Sequence, residues 1–154
     1  MHQLPPPLVL GWQEWIALPE LGLPALKAKI DTGAKTSALH THAIEPFGTL
    51  KRPMVRFTVR PNPKRADLEI AVTAPVIDRR EITSSDGERQ LRFVIATRVQ
   101  IGALAWPIEV SLTNRDRMTY RMLLGRQAIR ANVLVDPDKT FRQPRLSYAL
   151  YEGA

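Results

Sequence analysis

Cysteine is absent from this chain of 154 residues, and that absence excludes several classes of protein. Without thiols there is no disulfide framework, no thiolate metal ligand and no cysteine nucleophile. Long apolar runs are also lacking, since none approaches the ~18 residues of a membrane span. The N-terminal stretch MHQLPPPLVLGW lacks the basic region and long apolar segment of a secretion signal. The composition therefore predicts a cytoplasmic protein that is not inserted in a membrane.

Acidic side chains are fewer than basic ones. The chain has 22 Lys and Arg against 15 Asp and Glu, a formal net charge of +7 and a pI near 10.2. Such an excess of positive charge favours acidic partners such as nucleic acid or acidic peptide. One stretch without any acid is either a solvated strand face or a docking patch for a polyanion; its basic residues are Lys51, Arg52, Arg56, Arg60, Lys64 and Arg65.

Helical patterns are scarce, and short strand-like runs separated by turn signals take their place. The alternation in MVRFTV and the apolar run LEIAVTAPVID are typical of strands. REIT and RQLRFVIATRVQI flank SSDG, which predicts a hairpin, and a second hairpin is predicted through GALAW. NVLVDP and PRLSYALY are predicted as the last strands, and only residues 125–131 (GRQAIRA) as a short helix. The sequence predicts one all-β domain over residues 8–154, a closed or nearly closed β-barrel, after a flexible arm of residues 1–7.

Two short motifs carry reactive or unusually pliable residues. Residues 30–34 (IDTGA) place a carboxylate and a glycine where a strand pattern ends, and residues 122–126 (MLLGR) end a second apolar strand in Gly-Arg. An aspartate in a turn also serves to cap local N–H groups. Taken alone, Asp31 is therefore better explained as a turn-capping residue than as a catalytic one.

Taken together with the glycine-tipped hairpin between them, the two motifs resemble those of retropepsin-like aspartic proteases. That family has an Asp-Thr/Ser-Gly-Ala turn, a flap hairpin and then two apolar residues followed by Gly. The segments GWQEWIALPELGLPALKAKIDTGAKTSALH and NRDRMTYRMLLGRQAI are similar to a bacterial branch known as ATP-dependent zinc proteases. Some members of that branch are linked with an ATP-grasp ligase that adds glutamates to a ribosomal protein. The resemblance implies a retropepsin-like barrel and an aspartic peptidase that needs no cofactor.

Roles for individual residues follow from the resemblance. It implies that Asp31 is catalytic, that Thr32 and Gly33 shape the site, and that the hairpin tip covers the substrate. The supporting residues would be Ala34, Leu123, Leu124, Gly125 and Arg126, and the flap residues Ser84, Ser85, Asp86 and Gly87. Lys35 stands where retroviral members often carry an acid that pairs with the Arg after Leu-Leu-Gly. We therefore expect Arg126 to use a different partner, and Lys35 to favour acidic side chains in the substrate.

The single Asp-Thr-Gly motif implies a homodimer. An aspartic protease needs two carboxylates about 3 Å apart that share one proton. Because the chain supplies only one such turn, two copies of Asp31 would have to meet on a two-fold axis. In retropepsins the chain ends help to form this interface, which makes residues 1–12 and 139–154 candidates for it.

Two other functions remain open on the sequence. The basic stretch of residues 51–65 would suit a non-catalytic barrel that binds RNA or the ribosome. His40 and His42 have the spacing of a possible zinc pair, and a zinc peptidase would need a third ligand besides them.

Overall fold

The computed structural model describes residues 6–83, 86–114, 119–129 and 132–152. Within these ranges nearly all regular structure is strand, accompanied by three short 3-10 helices. The strands are β1 (Leu8–Leu10), β2 (Gln13–Leu18), β3 (Leu23–Asp31), β4 (Ser37–His40), β5 (His42–Gly48), β6 (Pro53–Val59), β7 (Ile70–Pro75), β8 (Asp78–Thr83), β9 (Arg89–Ile101), β10 (Leu104–Thr113), β11 (Met122–Gly125) and β12 (Val133–Val135). No helix in the described part of the chain is long and apolar enough to cross a membrane.

Six strands close into a barrel, as the sequence predicts. They follow the order β10, β4, β11, β3, β2 and β9, and β9 pairs again with β10 to complete the ring. The predicted hairpin is also present, because β8 pairs antiparallel with the first part of β9, from Thr83 opposite Arg89 to Asp78 opposite Val94. Strand β9 thus belongs to both the barrel and the projecting hairpin.

Two smaller sheets lie beside the barrel. Strands β5, β6 and β7 form an antiparallel sheet in which β6 is central, and the first and last strands, β1 and β12, pair in parallel. The alternation read from MVRFTV is observed in β6, where Val55, Phe57 and Val59 are buried and Arg56 is exposed. These side chains join the strands of the barrel in one continuous hydrophobic cluster.

Two predicted elements differ from the structure. The helix expected over residues 125–131 is a single 3-10 turn, Arg126–Ala128, because Gly125 and Ile129 on either side are extended; residues 130–131 lie outside the described residues. PRLSYALY is not a strand but carries a 3-10 helix, Tyr148–Tyr151, whose first turn is capped by the Ser147 hydroxyl. The Tyr151 hydroxyl, which bonds to the backbone of Ala25, fastens this helix to β3.

A buried carboxylate fastens the segment before that helix. Glu14 on β2 has no exposed surface. Its two oxygens accept N–H bonds from Gly11 at 2.6 Å, Arg142 at 2.9 Å and Gln143 at 3.1 Å. These bonds replace the hydration that the carboxylate lost on burial. They also join the start of the barrel to the C-terminal segment. The two segments predicted to form a dimer interface, residues 1–12 and 139–154, are thus joined to each other within one chain. Residues 1–5 and 153–154 lie outside the described residues, and the interface itself stays a prediction.

Candidate active site

The turn after β3 presents Asp31 at the barrel surface. Asp31 is half-buried, whereas Thr32 and Gly33 are exposed. The Gly33 N–H donates to Asp31 Oδ1 at 3.0 Å, and the Ala34 N–H donates to the Asp31 carbonyl oxygen at 3.3 Å. One carboxylate oxygen is therefore held by the backbone of its own turn.

Strand β11 supports this turn from behind. It runs between β3 and β4, parallel to the first and antiparallel to the second, with Gly125 opposite Asp31. A Cβ atom on Gly125 would lie only 2.7 Å from the Thr36 carbonyl carbon, so the close approach of the two segments requires glycine. The Gly125 N–H donates to the Ser37 hydroxyl at 3.0 Å.

Arg126 joins the two motifs directly. Its backbone N–H donates to the Ala34 carbonyl oxygen at 2.6 Å, and its Nη1 donates to the Thr32 carbonyl oxygen at 3.0 Å. The alternative partner expected for Arg126 is thus a backbone carbonyl in the Asp31 turn. On the other side of the 3-10 turn, the Trp106 indole N–H donates to the Ala128 carbonyl oxygen at 2.9 Å.

The two leucines of the second motif face opposite ways. Leu124 is fully buried in the hydrophobic cluster. Leu123 is only half-buried and lies outside that cluster, because successive side chains of a strand point to opposite faces. Of the two leucines named as supporting residues, only Leu124 therefore lies in the core.

The tip of the candidate flap is only partly described. Ser84 and Ser85 lie outside the described residues, and Asp86 and Gly87 are exposed. Gly87 has a φ of 84°, which favours glycine, and Asp86 Oδ1 accepts the Glu88 N–H at 3.1 Å. The hairpin is present, while its role over a substrate remains a prediction.

The predicted basic patch is partly neutralised. Arg56 pairs with Glu45, Arg60 with Glu69, and Arg65 with both Asp67 and Glu152. The pair with Asp67 also lowers the pKa of that carboxyl, chiefly through its hydrogen bond to Arg65. Three of the six basic residues of this stretch are thus paired with nearby acids. Lys35, by contrast, is exposed four residues after Asp31.

His40 and His42 lie close together. His40 is buried and His42 is half-buried, with ring centroids 4.8 Å apart in an edge-to-face contact. In the described ranges no cluster of three or more His, Asp or Glu residues has the arrangement of a metal site. The geometry of the pair is that of two packed aromatic rings.

Sequence reasoning missed a buried polar chain behind the turn. The Ser111 hydroxyl donates to the Ser37 carbonyl oxygen at 3.0 Å, and Arg92 Nη1 donates to the Ser111 hydroxyl at 3.5 Å. Because Arg92 belongs to β9, these contacts link the hairpin strand with the segment that supports Gly125. The signal available in the sequence was a serine at the start of the predicted strand SALH.

Replacing Ser37 by alanine should destabilise the fold. The change removes the acceptor of the buried Gly125 N–H, and an unsatisfied buried donor costs about 1–3 kcal/mol. Urea unfolding of Ser37→Ala against Thr140→Ala, which removes an exposed hydroxyl, measures the difference. Equal stability of the two variants would show that the bond to Gly125 contributes nothing.

Comparisons with known proteins agree with this geometry. A family model described as "RimB-like: Retropepsin-like aspartic endopeptidase RimB" matches residues 9–146. A crystal structure of a protein of unknown function from Legionella pneumophila is 32% identical, with a TM-score of 0.73 over 88% of this chain and 97% of that one.

Curated relatives are considerably longer. A "Probable alpha-L-glutamate ligase" from Shewanella pealeana is 46% identical over 133 residues, which are 86% of this chain and 29% of the relative. A protein of the same name from Parasynechococcus marenigrum is 44% identical over 131 residues, 85% of this chain and 28% of the relative. The chain therefore spans less than a third of the curated relatives that it matches.

Proposed function

This chain belongs to the RimB-like family of retropepsin-like aspartic endopeptidases, and we propose that it hydrolyses peptide bonds at a site completed across a homodimer. The observation that carries the proposal is the Asp31 turn. Its carboxylate is held at Oδ1 by the Gly33 N–H, and the turn is braced from behind by Gly125 and Arg126. A carboxylate held at one oxygen on a rigid turn is suited to face a second copy of itself.

The chemistry needs both carboxyl groups and one water molecule. Of two Asp31 side chains sharing one proton, the ionised one takes a proton from water while the protonated one donates to the scissile carbonyl oxygen. The water oxygen bonds to the carbonyl carbon and a tetrahedral diol forms. The C–N bond then breaks as the carboxyl that took the proton from water gives it to the nitrogen, and the other carboxylate takes a proton from the diol. The products are an acid and an amine, and the pair again shares one proton.

Acidic peptide is the substrate class that the charges favour. The chain carries a net charge of +7, and Lys35 is exposed next to the Asp31 turn. Curated relatives are named glutamate ligases over a much longer chain, so a glutamylated protein tail, such as that of a ribosomal protein, is the substrate to test first. We assign this activity to the cytoplasm, in keeping with a chain that lacks cysteine.

Dilution tests the shared site. Cleavage of a peptide ending in several glutamates is followed over a series of protein concentrations, while light scattering gives the fraction of dimer. Because only the dimer holds two carboxylates, activity per milligram should fall in proportion to that fraction. Constant activity per milligram in samples that are fully monomeric would overturn the proposal, and the same peptide with glutamine for glutamate tests the preference for acid.

A further inference from the structure

The outer face of β3 brings a lysine next to the proposed catalytic aspartate. Along this strand Ala28 and Ile30 are buried, whereas Lys29 is exposed and Asp31 is half-buried. Residues two apart in a strand share a face, with Cα atoms ~7 Å apart. Lys29 and Asp31 are therefore neighbours on the same surface.

The two strands that pair with β3, namely β2 and β11, place side chains on either side of Lys29. The Cα partners of Lys29 are Gln13 on β2 and Leu123 on β11. The Tyr120 hydroxyl donates to Gln13 Oε1 at 2.8 Å, and the Trp12 ring meets the Tyr120 ring edge-on at 6.1 Å. The half-buried position of Leu123 follows from this arrangement, since it packs on the Lys29 side of β11 rather than in the core. Lys29 thus stands between Leu123 on one side and Gln13 on the other, and Gln13 in turn holds the Tyr120 hydroxyl.

The charge of Lys29 is available to a ligand. The neighbouring lysine on the same face, Lys27, has its ammonium over the Trp15 ring at 5.2 Å and the Phe141 ring at 5.9 Å. The ion pairs and cation–π contacts formed within the described ranges do not include Lys29. An exposed ammonium beside the apolar Leu123 suits a side chain with a short aliphatic stem and a terminal carboxylate.

We propose that Lys29 is a specificity-determining residue that receives the carboxylate of an acidic side chain adjacent to the scissile bond. Leu123 and Tyr120 contact the stem of that side chain, and Lys29 binds its charged end. This assignment rests on the proposed function, because it places the cleaved bond at Asp31. It locates the preference for acid on the face of β3 that carries Asp31, rather than in the overall charge of the chain.

Exchanging the charge tests the assignment. Peptides that differ only in Glu, Gln or Lys beside the cleaved bond are compared with the wild type, Lys29→Gln and Lys29→Glu. In Lys29→Gln we expect the ratio of kcat/KM for the Glu peptide to kcat/KM for the Gln peptide to fall about 10-fold. This is the loss expected for one hydrogen bond to a charged group. Lys29→Glu should prefer the Lys peptide. Ratios between peptides do not depend on the amount of folded enzyme. The control is Lys51→Gln, at the exposed β5–β6 turn, which should leave these ratios unchanged.

A binding experiment separates the two proposals. The Glu and Gln peptides are titrated calorimetrically into Asp31→Asn and into Asp31→Asn combined with Lys29→Glu. The role of Lys29 is supported if Asp31→Asn binds the Glu peptide more tightly than the Gln peptide and the double variant does not. This result does not require that cleavage be observed. Unchanged peptide ratios in Lys29→Glu, or equal or undetectable binding of the Glu peptide by both proteins, overturn that role. Retained cleavage in Asp31→Asn would instead overturn the proposed function.

Discussion

Replacing Asp31 by asparagine should reduce peptide cleavage by roughly 10²–10⁴-fold, the range that a positioned acid or base contributes to catalysis. Asparagine can neither take a proton from water nor share one with a second carboxylate. Its side-chain oxygen can still accept the Gly33 N–H that Asp31 Oδ1 accepts at 3.0 Å, so the thermal midpoint should shift little. Initial rates and differential scanning calorimetry measure the two effects.

Mixing proteins makes the same variant a test of the dimer. When equal amounts of wild type and Asp31→Asn exchange subunits freely, only about a quarter of the dimers keep two aspartates. Activity per wild-type chain should therefore fall to about half. Asp138→Asn, a change at an exposed aspartate, provides the matched control and should leave that activity unchanged. An additive mixture, or an active Asp31→Asn protein, would contradict the shared site.

Replacing Glu14 by alanine should give the largest loss of stability. The variant leaves the N–H groups of Gly11, Arg142 and Gln143 without their acceptor in a site that has no exposed surface. A donor left without a partner in the interior costs about 1–3 kcal/mol. Three donors lose their acceptor here, two of them only partly buried, so we expect a total loss of about 3–5 kcal/mol. Urea unfolding monitored by circular dichroism gives this difference in the free energy of unfolding.

Two further variants identify the cause of that loss. Glu14→Gln keeps the shape and one acceptor oxygen, so it should lie between alanine and the wild type. Glu20→Ala removes an exposed carboxylate that accepts a single N–H, that of Arg98 at 2.9 Å, and should cost less than 1 kcal/mol, as is usual for surface changes. If Glu14→Ala were as stable as Glu20→Ala, the tail would not depend on the buried carboxylate.

Strands of the barrel and of the sheet beside it were predictable because their burial pattern is written in the sequence. MVRFTV and RQLRFVIATRVQI alternate with the period of a strand, and β6 and β9 are found there. PRLSYALY has strand-like residues as well, but its conformation depends on contacts far along the chain. The Tyr151 hydroxyl bonds to Ala25, and the Tyr148 ring packs edge-on against Trp15. Tertiary contacts of this kind override local preference.

The candidate site was predictable only in part, for a similar reason. The two motifs identify Asp31 and Arg126, whereas the bond from Arg126 to the Thr32 carbonyl depends on the register between β11 and β3. Leu123 faces away from the core because of that same register. Lys29 could have been found from the sequence, since alternation in KAKID puts it on the face of Asp31. Glu14 could not, because nothing in QEWIAL marks a glutamate as fully buried.

The indole of Trp106 gives the molecule a built-in optical reporter. Its N–H donates to the Ala128 carbonyl oxygen. Ala128 lies two residues after Arg126, whose side chain donates to the Thr32 carbonyl oxygen in the Asp31 turn. With Trp12 and Trp15 changed to phenylalanine, the remaining fluorescence would come from this ring alone. Its emission wavelength would then report in real time on the rear of the Asp31 turn, during the proposed assembly of subunits or binding of a peptide.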